Sequence, residues 1–412
     1  MDILKVRDAA DVEQAVRAAI ASEQPLEIIG HGSKRQIGQP MATNAVLDVS
    51  ALNAVTAYEP NELIVTVEAG APLADVMSLI DSKNQQFAFE PVDTAPLLGT
   101  KAAGTIGGMI GAGLAGPRRV KAGAARDHLL GAHAVSGFGD SFKAGGKVVK
   151  NVTGYDLCKL LAGSWGTLAV MTEVTLKVMP RPEAERTLVL RGLDDLAANR
   201  AMTAALGSPF DVSGAAHVPA SGLRAEVGGL DRLGSPRQAV TLLRLEGILA
   251  SASHRAASLA AVLAPFGTVE IIEDAASAEV WSAIRDAQPF AAGGVLGAWP
   301  VWRIVCPPAS GGALGQALAR MSGGDVIYDW GGGLIWAALP PKGDAHAAAV
   351  RQRVEAASGH ATLIRATDEV RRNVDVFHPQ ASGLAALSER VRLSFDPKHI
   401  LNRGRLIRGA AR

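Results

Sequence analysis

The apolar pattern of the first 80 residues predicts short strands mixed with amphipathic helices. Apolar residues recur three and four positions apart over Ala9 to Ser22, which predicts a helix, and the run Leu26 to Ile29 after Pro25 predicts a buried strand. Pro72 precedes a second helical pattern, as expected from the preference for proline near helix starts. Helices and strands therefore mix without regular alternation. Further strands are predicted at Val46 to Val49, Val55 to Tyr58 and Leu63 to Glu68.

A second block follows, in which glycine interrupts the pattern. A glycine-dense tract over 99–123 precedes a predicted strand at Leu129 to Val135 and a predicted hairpin around 145–150. A helix is predicted at Asp156 to Ala162, and Thr167 to Met179 alternates as a strand does. Prolines 180 and 182 stop that strand, so we expect the first folded unit to end there.

The remainder of the chain divides at residue 375. From residue 181 the sequence is alanine-rich, with helical patterns between short strand candidates, which indicates an α+β unit. The last segment, 376–412, holds one predicted helix. The sequence thus predicts three parts, 1–180, 181–375 and 376–412, and 412 residues exceed the size of one usual hydrophobic core. The predicted helices are Leu193 to Ala205, His254 to Leu263, Ala345 to Ala357 and Leu384 to Phe395.

Composition narrows the possible partners. A formal charge of +1 gives no general attraction to nucleic acid or acidic lipid. Cys158 and Cys306 have no metal-ligand spacing, which argues against a metal cluster and a disulfide scaffold. The N-terminus lacks the apolar core of a secretory signal, and the apolar stretch over 97–116 contains seven glycines and Lys101. We therefore expect a cytoplasmic protein without a transmembrane segment.

The first candidate site is the glycine-rich turn directly after the predicted strand Leu26 to Ile29. Glycine lets backbone amides approach a diphosphate, a serine adds a donor and a lysine adds a positive charge. An ordinary turn is the alternative interpretation. The candidate residues are Gly30, His31, Gly32, Ser33, Lys34 and Gly38.

The second candidate site is the tract that begins at Gly104. Each glycine costs roughly 0.5 to 1 kcal/mol relative to alanine in regular structure, so this density predicts backbone pressed against a ligand. The segment 111–116 satisfies the G-x-G-x-x-G pattern, but it follows glycines rather than a strand, so we interpret that match as coincidental. The candidate residues are Gly104, Thr105, Gly107, Gly108, Gly111, Gly113, Gly116, Arg118 and Asp127.

The third candidate site comprises Lys147 to Leu157 and Gly163 to Glu173. Together with the two glycine tracts, these residues resemble the FAD-binding domain of the vanillyl-alcohol oxidase and D-2-hydroxy acid dehydrogenase flavoproteins. The resemblance covers roughly Pro25 to Pro180 and Val376 to Leu406. It implies an α+β fold: a PCMH-type (p-cresol methylhydroxylase-type) FAD-binding domain of two α+β subdomains, an α+β cap domain, and a C-terminal segment that packs on the FAD domain.

The resemblance also implies roles for particular residues. Residues 30–34 would wrap the diphosphate and the tract 104–119 would line the diphosphate and the flavin. Four residues would follow the ring and ribityl chain, and Asn402 would approach the ring; turn-capping and ordinary strand roles are the alternatives. His31 lies between glycines, unlike the Gly-Gly-His pattern of covalently flavinylated relatives, so we expect noncovalent FAD. The four residues are Gly163, Gly166, Thr167 and Val170.

Within that family the sequence is most similar to the FAD-binding E subunits of glycolate oxidases. The similarity lies in Gly32-Ser33-Lys34, in Gly116-Pro117-Arg118-Arg119, and in the endings Phe377-His378-Pro379-Gln380 and Phe395-Asp396-Pro397. It implies a complex in which a second FAD subunit, an iron–sulfur subunit and this chain oxidise glycolate, a small 2-hydroxy acid, to glyoxylate. Membrane association would then come through the partners, at the inner face.

The catalytic residues cannot be assigned from the sequence. Relatives that oxidise D-2-hydroxy acids carry a His-Gly-Glu-His type motif in the cap, and no two histidines here stand at ligand spacing with an acid. A stand-alone oxidoreductase for another alcohol or hydroxy acid, and a non-catalytic assembly subunit, therefore remain alternatives. The tryptophans over 299–302 and 330–336 fit either a partner interface or the core of the cap.

Overall fold

The computed structural model describes residues 2–43, 45–147, 154–223, 229–233 and 238–407. The chain begins with a small parallel sheet of three strands in the order β1-β3-β2, covered by one helix. The Asp8 carboxylate accepts a hydrogen bond from the Asp11 amide and caps that helix, which buries Val12, Val16 and Ala19 against the sheet. The elements are β1 (Asp2–Lys5), α1 (Ala9–Ser22), β2 (Leu26–Ile29) and β3 (Ala45–Asp48).

A five-stranded antiparallel sheet follows, in the order β4-β5-β9-β7-β8. Its inner face packs on short helices around a core that includes Phe89 and Ile110. Its elements, with a small two-stranded sheet of β6 and β10, are β4 (Val55–Glu59), β5 (Ile64–Glu68), α2 (Leu73–Asp81), β6 (Gln85–Gln86), α3 (Ala95–Leu98), α4 (Ile106–Ala112), α5 (Arg119–Ala122), α6 (Ala125–His128), β7 (Leu129–Ser136), β8 (Ser141–Gly145), α7 (Leu157–Leu161), β9 (Ala169–Lys177) and β10 (Met179–Pro180).

The next part of the chain forms an eight-stranded antiparallel sheet in the order β14-β11-β13-β12-β16-β17-β15-β18, which we call the cap. Helices cover its outer face, around Trp302 and Tyr328, and its inner face packs on the N-terminal half. Its elements are β11 (Ala184–Arg191), α8 (Asp195–Leu206), β12 (Gly214–Val218), β13 (Val240–Gly247), α9 (Leu249–Leu263), β14 (Val269–Glu273), α10 (Asp274–Arg285), β15 (Val301–Val305), α11 (Pro308–Ser322), β16 (Asp325–Asp329), β17 (Leu334–Ala338), α12 (Ala347–Ala356) and β18 (His360–Arg365).

The C-terminal segment, with α13 (Asp368–Asn373) and α14 (Ser382–Phe395), returns to the N-terminal half. Leu401 forms a parallel bridge with Leu26 at the edge of β2. The fully buried Asp396 carboxylate accepts hydrogen bonds from the amides of Ile400 and Leu401, at 2.9 and 2.8 Å, and so fixes the turn that precedes the bridge. The last described residues therefore lie beside the first glycine-rich turn.

Most predicted elements agree with the structure to within a few residues. The helix predicted at His254 to Leu263 starts earlier, at Leu249. The hairpin predicted around 145–150 lies partly outside the described residues, which omit 148–153. Among the described residues, no helix has both the length and the apolar character needed to cross a membrane.

Candidate functional site

A groove of about 720 Å³, partly open to solvent, runs between the parallel sheet, helix α4, the loop before β9 and the C-terminal segment. Three separated parts of the chain and the returning C-terminal segment line this groove. Eleven of the twenty residues selected from the sequence line the groove: Gly30, His31, Gly32, Ser33, Lys34, Thr105, Gly107, Gly108, Gly111, Gly166 and Asn402.

The turn after β2 presents its backbone to the groove. Gly32 has φ +73°, a left-handed conformation that favours glycine, and its carbonyl accepts a hydrogen bond from the Arg35 amide at 3.2 Å. Within the described part of the chain, no backbone amide from Gly30 to Lys34 donates to another protein group. Successive free amides in such a turn form a concave site that suits an anion.

Two cations stand beside this turn. Burial lowers the pKa of Lys34, against a smaller opposite effect of Asp93. Arg405 is 5% exposed, and burial lowers its pKa to about 10, aided by the charges of Arg371 and Arg35. Its Nη2 donates to the Lys34 carbonyl at 2.7 Å, and its Nε has no hydrogen-bond partner among the described residues. Buried cations with spare donors favour an anionic ligand.

Helix α4 forms the opposite wall, and its glycines serve two different purposes. A Cβ on Gly107 would lie 2.8 Å from the Ala69 carbonyl oxygen, so glycine is needed there for packing of the chain on itself. A Cβ on Gly111 would meet only Met171 Cε at 3.8 Å, which leaves its surface open to the groove. Thr105 Oγ1 accepts from the Gly108 amide at 3.2 Å and caps the helix. Packing of the chain on itself therefore accounts for Gly107, whereas it does not account for Gly111.

The tract also contains the G-x-G-x-x-G match, which lies at a helix end. Gly113 is the left-handed cap that terminates α4, at φ +62°. The segment therefore follows a helix rather than a strand, opposite to the order of a dinucleotide-binding βαβ unit. This geometry agrees with the interpretation of the match as coincidental.

Asn402 holds two walls of the groove together. Its Oδ1 accepts from the Ile28 amide at 2.8 Å, and its Nδ2 donates to the Trp165 carbonyl at 2.7 Å. Both groups of the side-chain amide are thus engaged by the protein. In the structure Asn402 fixes β2 against the loop before β9. An approach of Asn402 to a flavin ring stays a prediction.

Nine selected residues lie outside the groove lining. Gly104 is adjacent to it, since a Cβ there would lie 3.9 Å from Lys34 Nζ. Thr167 donates to the Ser164 carbonyl, and the Asp127 carboxylate accepts from the Ala124 amide. Cofactor contacts of these residues stay predictions. The nine are Gly38, Gly104, Gly113, Gly116, Arg118, Asp127, Gly163, Thr167 and Val170.

Three of these nine have other neighbours in the fold. A Cβ on Gly38 would lie 2.9 Å from Arg405 Cγ, and one on Gly113 would lie 3.1 Å from the Cα of Gly163. Val170 belongs to the core under the parallel sheet. Close packing of the chain on itself accounts for these positions.

Gly116 and Arg118 face the cap instead. The Gly116 amide donates to the carbonyls of Phe89 and Glu90, at 3.0 and 2.9 Å. The Arg118 guanidinium binds the Glu246 carboxylate of β13, with Nη2 to Oε1 at 2.7 Å. These residues join the two parts of the molecule.

The third candidate site is only partly within the described residues. Residues 148–153 of its first segment lie outside them. Asp156 caps α7 by accepting from the Lys159 amide at 3.3 Å, and Tyr155 is 94% exposed. Its second segment supplies Gly166 and the groove wall formed by β9.

Sequence reasoning missed several groove residues. Arg405, Trp165 and Met171 line the groove although none was selected. The Arg405 guanidinium lies 5.2 Å from the centre of the Trp165 ring, which places an aromatic face and a cation together. Arg405 stands only three residues after Asn402, so the family ending contained a signal for it.

The free amides, the buried cations and the aromatic wall fit a dinucleotide cofactor such as FAD. The turn and the cations would hold its diphosphate, and Gly108 and Gly111 would allow the remainder to lie against α4. Among the described residues, no cluster of three or more His, Cys, Asp or Glu is arranged to hold a metal ion.

Comparisons with known proteins agree with this fit. A family model described as FAD binding domain matches residues 3–145. The glycolate oxidase subunit GlcE of Escherichia coli (strain K12) is 31% identical over 398 residues, which cover 95% of this chain and 95% of that protein. The glycolate oxidase subunit GlcD of Bacillus subtilis (strain 168) is 34% identical over 173 residues, 41% of this chain and 35% of GlcD.

Solved structures show the same fold at low sequence identity. A 4-ethylphenol oxidase from Gulosibacter chungangensis superposes with a TM-score of 0.71 at 14% identity, covering 100% of this chain and 90% of its own. A p-cresol methylhydroxylase with substrate bound gives a TM-score of 0.69 at 13% identity, covering 98% and 88%. The predicted PCMH-type α+β fold is thereby confirmed.

Proposed function

The chain belongs to the family of the glycolate oxidase GlcE subunits, and from that premise we propose that it binds FAD noncovalently in the groove as a subunit of a complex that oxidises glycolate to glyoxylate. The observation that carries the proposal is a pair of cations, the partly buried Lys34 and the buried Arg405, beside the free amides of the turn after β2. The family match identifies the cofactor as FAD.

Different groove residues bind different parts of the cofactor. Lys34, Arg405 and the turn hold the diphosphate, since charge-assisted hydrogen bonds are stronger than neutral ones. When bound, the flavin supplies the acceptor for the two electrons of the alcohol. Trp165 packs its ring 5.5 Å from that of Phe377, and this aromatic pair would shield the bound ring system from water.

The partners are part of the proposal. The two described cysteines, Cys158 and Cys306, are both buried and far from any cluster of ligands, so electrons would leave through an iron–sulfur subunit. A second FAD subunit of the GlcD type would complete the complex, and we propose that the assembly lies in the cytoplasm or at the inner face of the membrane.

The cofactor experiment uses the purified full chain. We expect it to take up one FAD per chain with a flavin absorption band, and acid precipitation to release all of the flavin into the supernatant. A colourless chain that acquires no band after incubation with FAD contradicts the proposal. Flavin that remains in the precipitate contradicts noncovalent binding.

The complex experiment combines this chain with its GlcD-type and iron–sulfur partners. We expect glycolate-dependent reduction of an artificial acceptor to require all three chains. Turnover by this chain alone would instead favour a stand-alone oxidoreductase. Full activity of a complex whose copy of this chain cannot bind FAD would favour an assembly role.

A further inference from the structure

Polar residues interrupt an otherwise apolar surface of the cap. The inner face of its sheet is apolar at Val301, Ile327 and Trp336, which pack against Leu97 and Ala115 of the N-terminal half. Toward one side of the same face the residues become polar, and packing alone does not require this change. These residues are Arg303, Asp329, His360 and Thr362.

The strand registers place the polar residues together. Arg303 of β15 pairs with Trp336 on one side and with Thr362 on the other. His360 pairs with Val305, two residues along β15, so it lies on the face that Arg303 occupies. Asp329 pairs with Leu334 in the adjacent strands and lies on that face as well.

Trp330 forms the centre of this patch. Its Nε1 donates to the Gly116 carbonyl at 3.0 Å, which ties the cap to the N-terminal half. The guanidinium of Arg119 lies 4.8 Å from the ring centre and that of Arg303 lies 5.1 Å from it. Two cations are thus held on one indole ring, where each repels the other.

No carboxylate of the described residues forms an ion pair with either arginine. Burial lowers the pKa of Arg303 to about 10, and the charge of Arg119 adds to that effect. Burial raises the pKa of Asp329 to about 7, so this neighbour supplies only part of a counter-charge at neutral pH. An anion from outside the chain would complete the compensation of these two charges.

The patch and the groove border the same apolar cluster. Trp165, which lines the groove, and Phe377 both pack against the apolar cluster that contains Trp330. Arg119 and His360 are exposed and Arg303 is partly buried, so one side of the patch faces solvent.

We propose that Arg119 and Arg303, supported on Trp330, bind the carboxylate of a small 2-hydroxy acid at the junction of the cap and the N-terminal half. The proposal rests on the proposed function, since it supplies the substrate site that the family motif does not provide here. Guanidinium groups match a carboxylate in shape and charge and bind it with two parallel hydrogen bonds.

The test measures binding of oxalate, a stable dicarboxylate, to the full chain by calorimetry, with and without FAD. Replacement of one charge-assisted contact is expected to weaken oxalate binding roughly ten- to hundredfold in Arg303→Met and in Arg119→Met. Arg303→Lys keeps the charge but loses the planar fork, so we expect an intermediate loss. Arg200→Met, at an exposed arginine on α8, is the matched control and should bind oxalate as the unchanged chain does.

The outcomes separate this proposal from the proposed function. FAD uptake is measured on the same preparations by absorbance, and all four variants are expected to retain it. Absence of oxalate binding by the unchanged chain, or binding by both methionine variants as tight as that of the unchanged chain, overturns the carboxylate site. If the variants of Arg119 and Arg303 all lose both oxalate binding and FAD uptake, misfolding explains the result and the carboxylate site is overturned as well. Arg119 is exposed, so its replacement is not expected to cause misfolding. Failure of FAD uptake by the unchanged chain contradicts the proposed function. Oxalate binding by that chain and its variants still tests the carboxylate site in that case.

Discussion

Arg405 in the groove and Arg244 at the junction with the cap are both almost fully buried, with 5% and 1% of their surfaces exposed. Arg244 donates from Nη1 and Nη2 to the two oxygens of Glu90, each at 2.9 Å. Burial by itself lowers the pKa of Arg244, but the charges of Glu90 and Glu246 outweigh it and raise that pKa. Arg405 has no ion pair among the described residues, and its pKa is lowered.

The difference separates a structural cation from a binding cation. Arg244 and Arg118 meet Glu90 and Glu246 across the junction, so their charges are satisfied within the chain and hold the cap in place. Arg405 has no ion pair among the described residues, and under the proposed function the diphosphate of the cofactor supplies one. Burial alone therefore does not distinguish a structural arginine from a ligand-binding one, whereas the presence or absence of carboxylate partners does.

Removing a carboxylate from the junction is expected to have the largest effect. Glu90→Ala leaves Arg244 buried without its bidentate partner, which costs about 3 to 5 kcal/mol in the free energy of unfolding. Chemical denaturation at neutral pH measures this loss.

The control for that variant is an exposed ion pair. Lys398→Ala removes a pair with Glu23 in which the side chains are 57% and 78% exposed, and about 0 to 1 kcal/mol is expected. Equal losses in the two variants would show that the junction does not depend on buried charge pairing.

Acid should weaken the same junction. The charges of Arg244 and Arg118 overcome the effect of burial and lower the pKa of Glu246 to about 2, from 4.5. A lowered pKa in the folded state stabilises above pH 4.5, and this stability is lost as the pH falls toward 2; it amounts to about 3 kcal/mol at most. The raised pKa of Glu185 opposes part of it.

Denaturation at pH 7 and pH 3 tests this effect. The unchanged chain is expected to lose more stability between the two pH values than Glu246→Gln does, because the glutamine cannot titrate. Parallel losses in both proteins would remove Glu246 from the explanation of acid sensitivity.

Arg405→Met is expected to separate binding from stability. FAD affinity should fall roughly ten- to hundredfold, because a charge-assisted contact is lost. Stability of the cofactor-free chain should stay within about 1 kcal/mol, because a buried cation without an ion pair is removed. Titration with FAD and denaturation of the apoprotein measure the two quantities. Arg390→Met, on the exposed side of α14, should change neither; a large loss of apoprotein stability in the Arg405 variant would assign that residue a structural role.

A matched pair of glycines in α4 is expected to separate packing from cofactor contact. Gly107→Ala should destabilise the cofactor-free chain by about 1 to 3 kcal/mol, since its Cβ would press on Ala69. Gly111→Ala should stabilise it by about 0.5 to 1 kcal/mol, because alanine favours the helix and only Met171 lies near. FAD affinity should fall in the second variant, and unchanged affinity there would place the cofactor elsewhere.

Local sequence patterns were enough for most elements of the fold. Helix α1 has an aspartate cap and apolar residues at helical spacing, and β2 is a short apolar run after a proline, so both were predictable from neighbours in sequence. The positions of the tryptophans were not predictable, because an aromatic residue suits a core and an interface equally well. Trp302 and Trp336 are buried in the cap, and Trp330 lies at the junction.

The glycine-rich turn and tract were likewise recognisable as candidates, but the roles of their members were not. Gly107 and Gly111 look the same in the sequence. Only the approach of Ala69 to the first shows that one glycine serves packing while the other faces the groove.

The sequence by itself determined the family, the cofactor class and the segments that meet at the groove, since these depend on residue types at short spacing. The tertiary structure decided which charges are paired. Arg405 and Lys34 are 371 residues apart, and Arg244 and Glu90 are 154 apart, so their surroundings exist only after the chain has folded. Whether a buried charge holds the protein together or awaits a ligand depends on distances of a few ångströms, because electrostatic and hydrogen-bond energies fall steeply with separation.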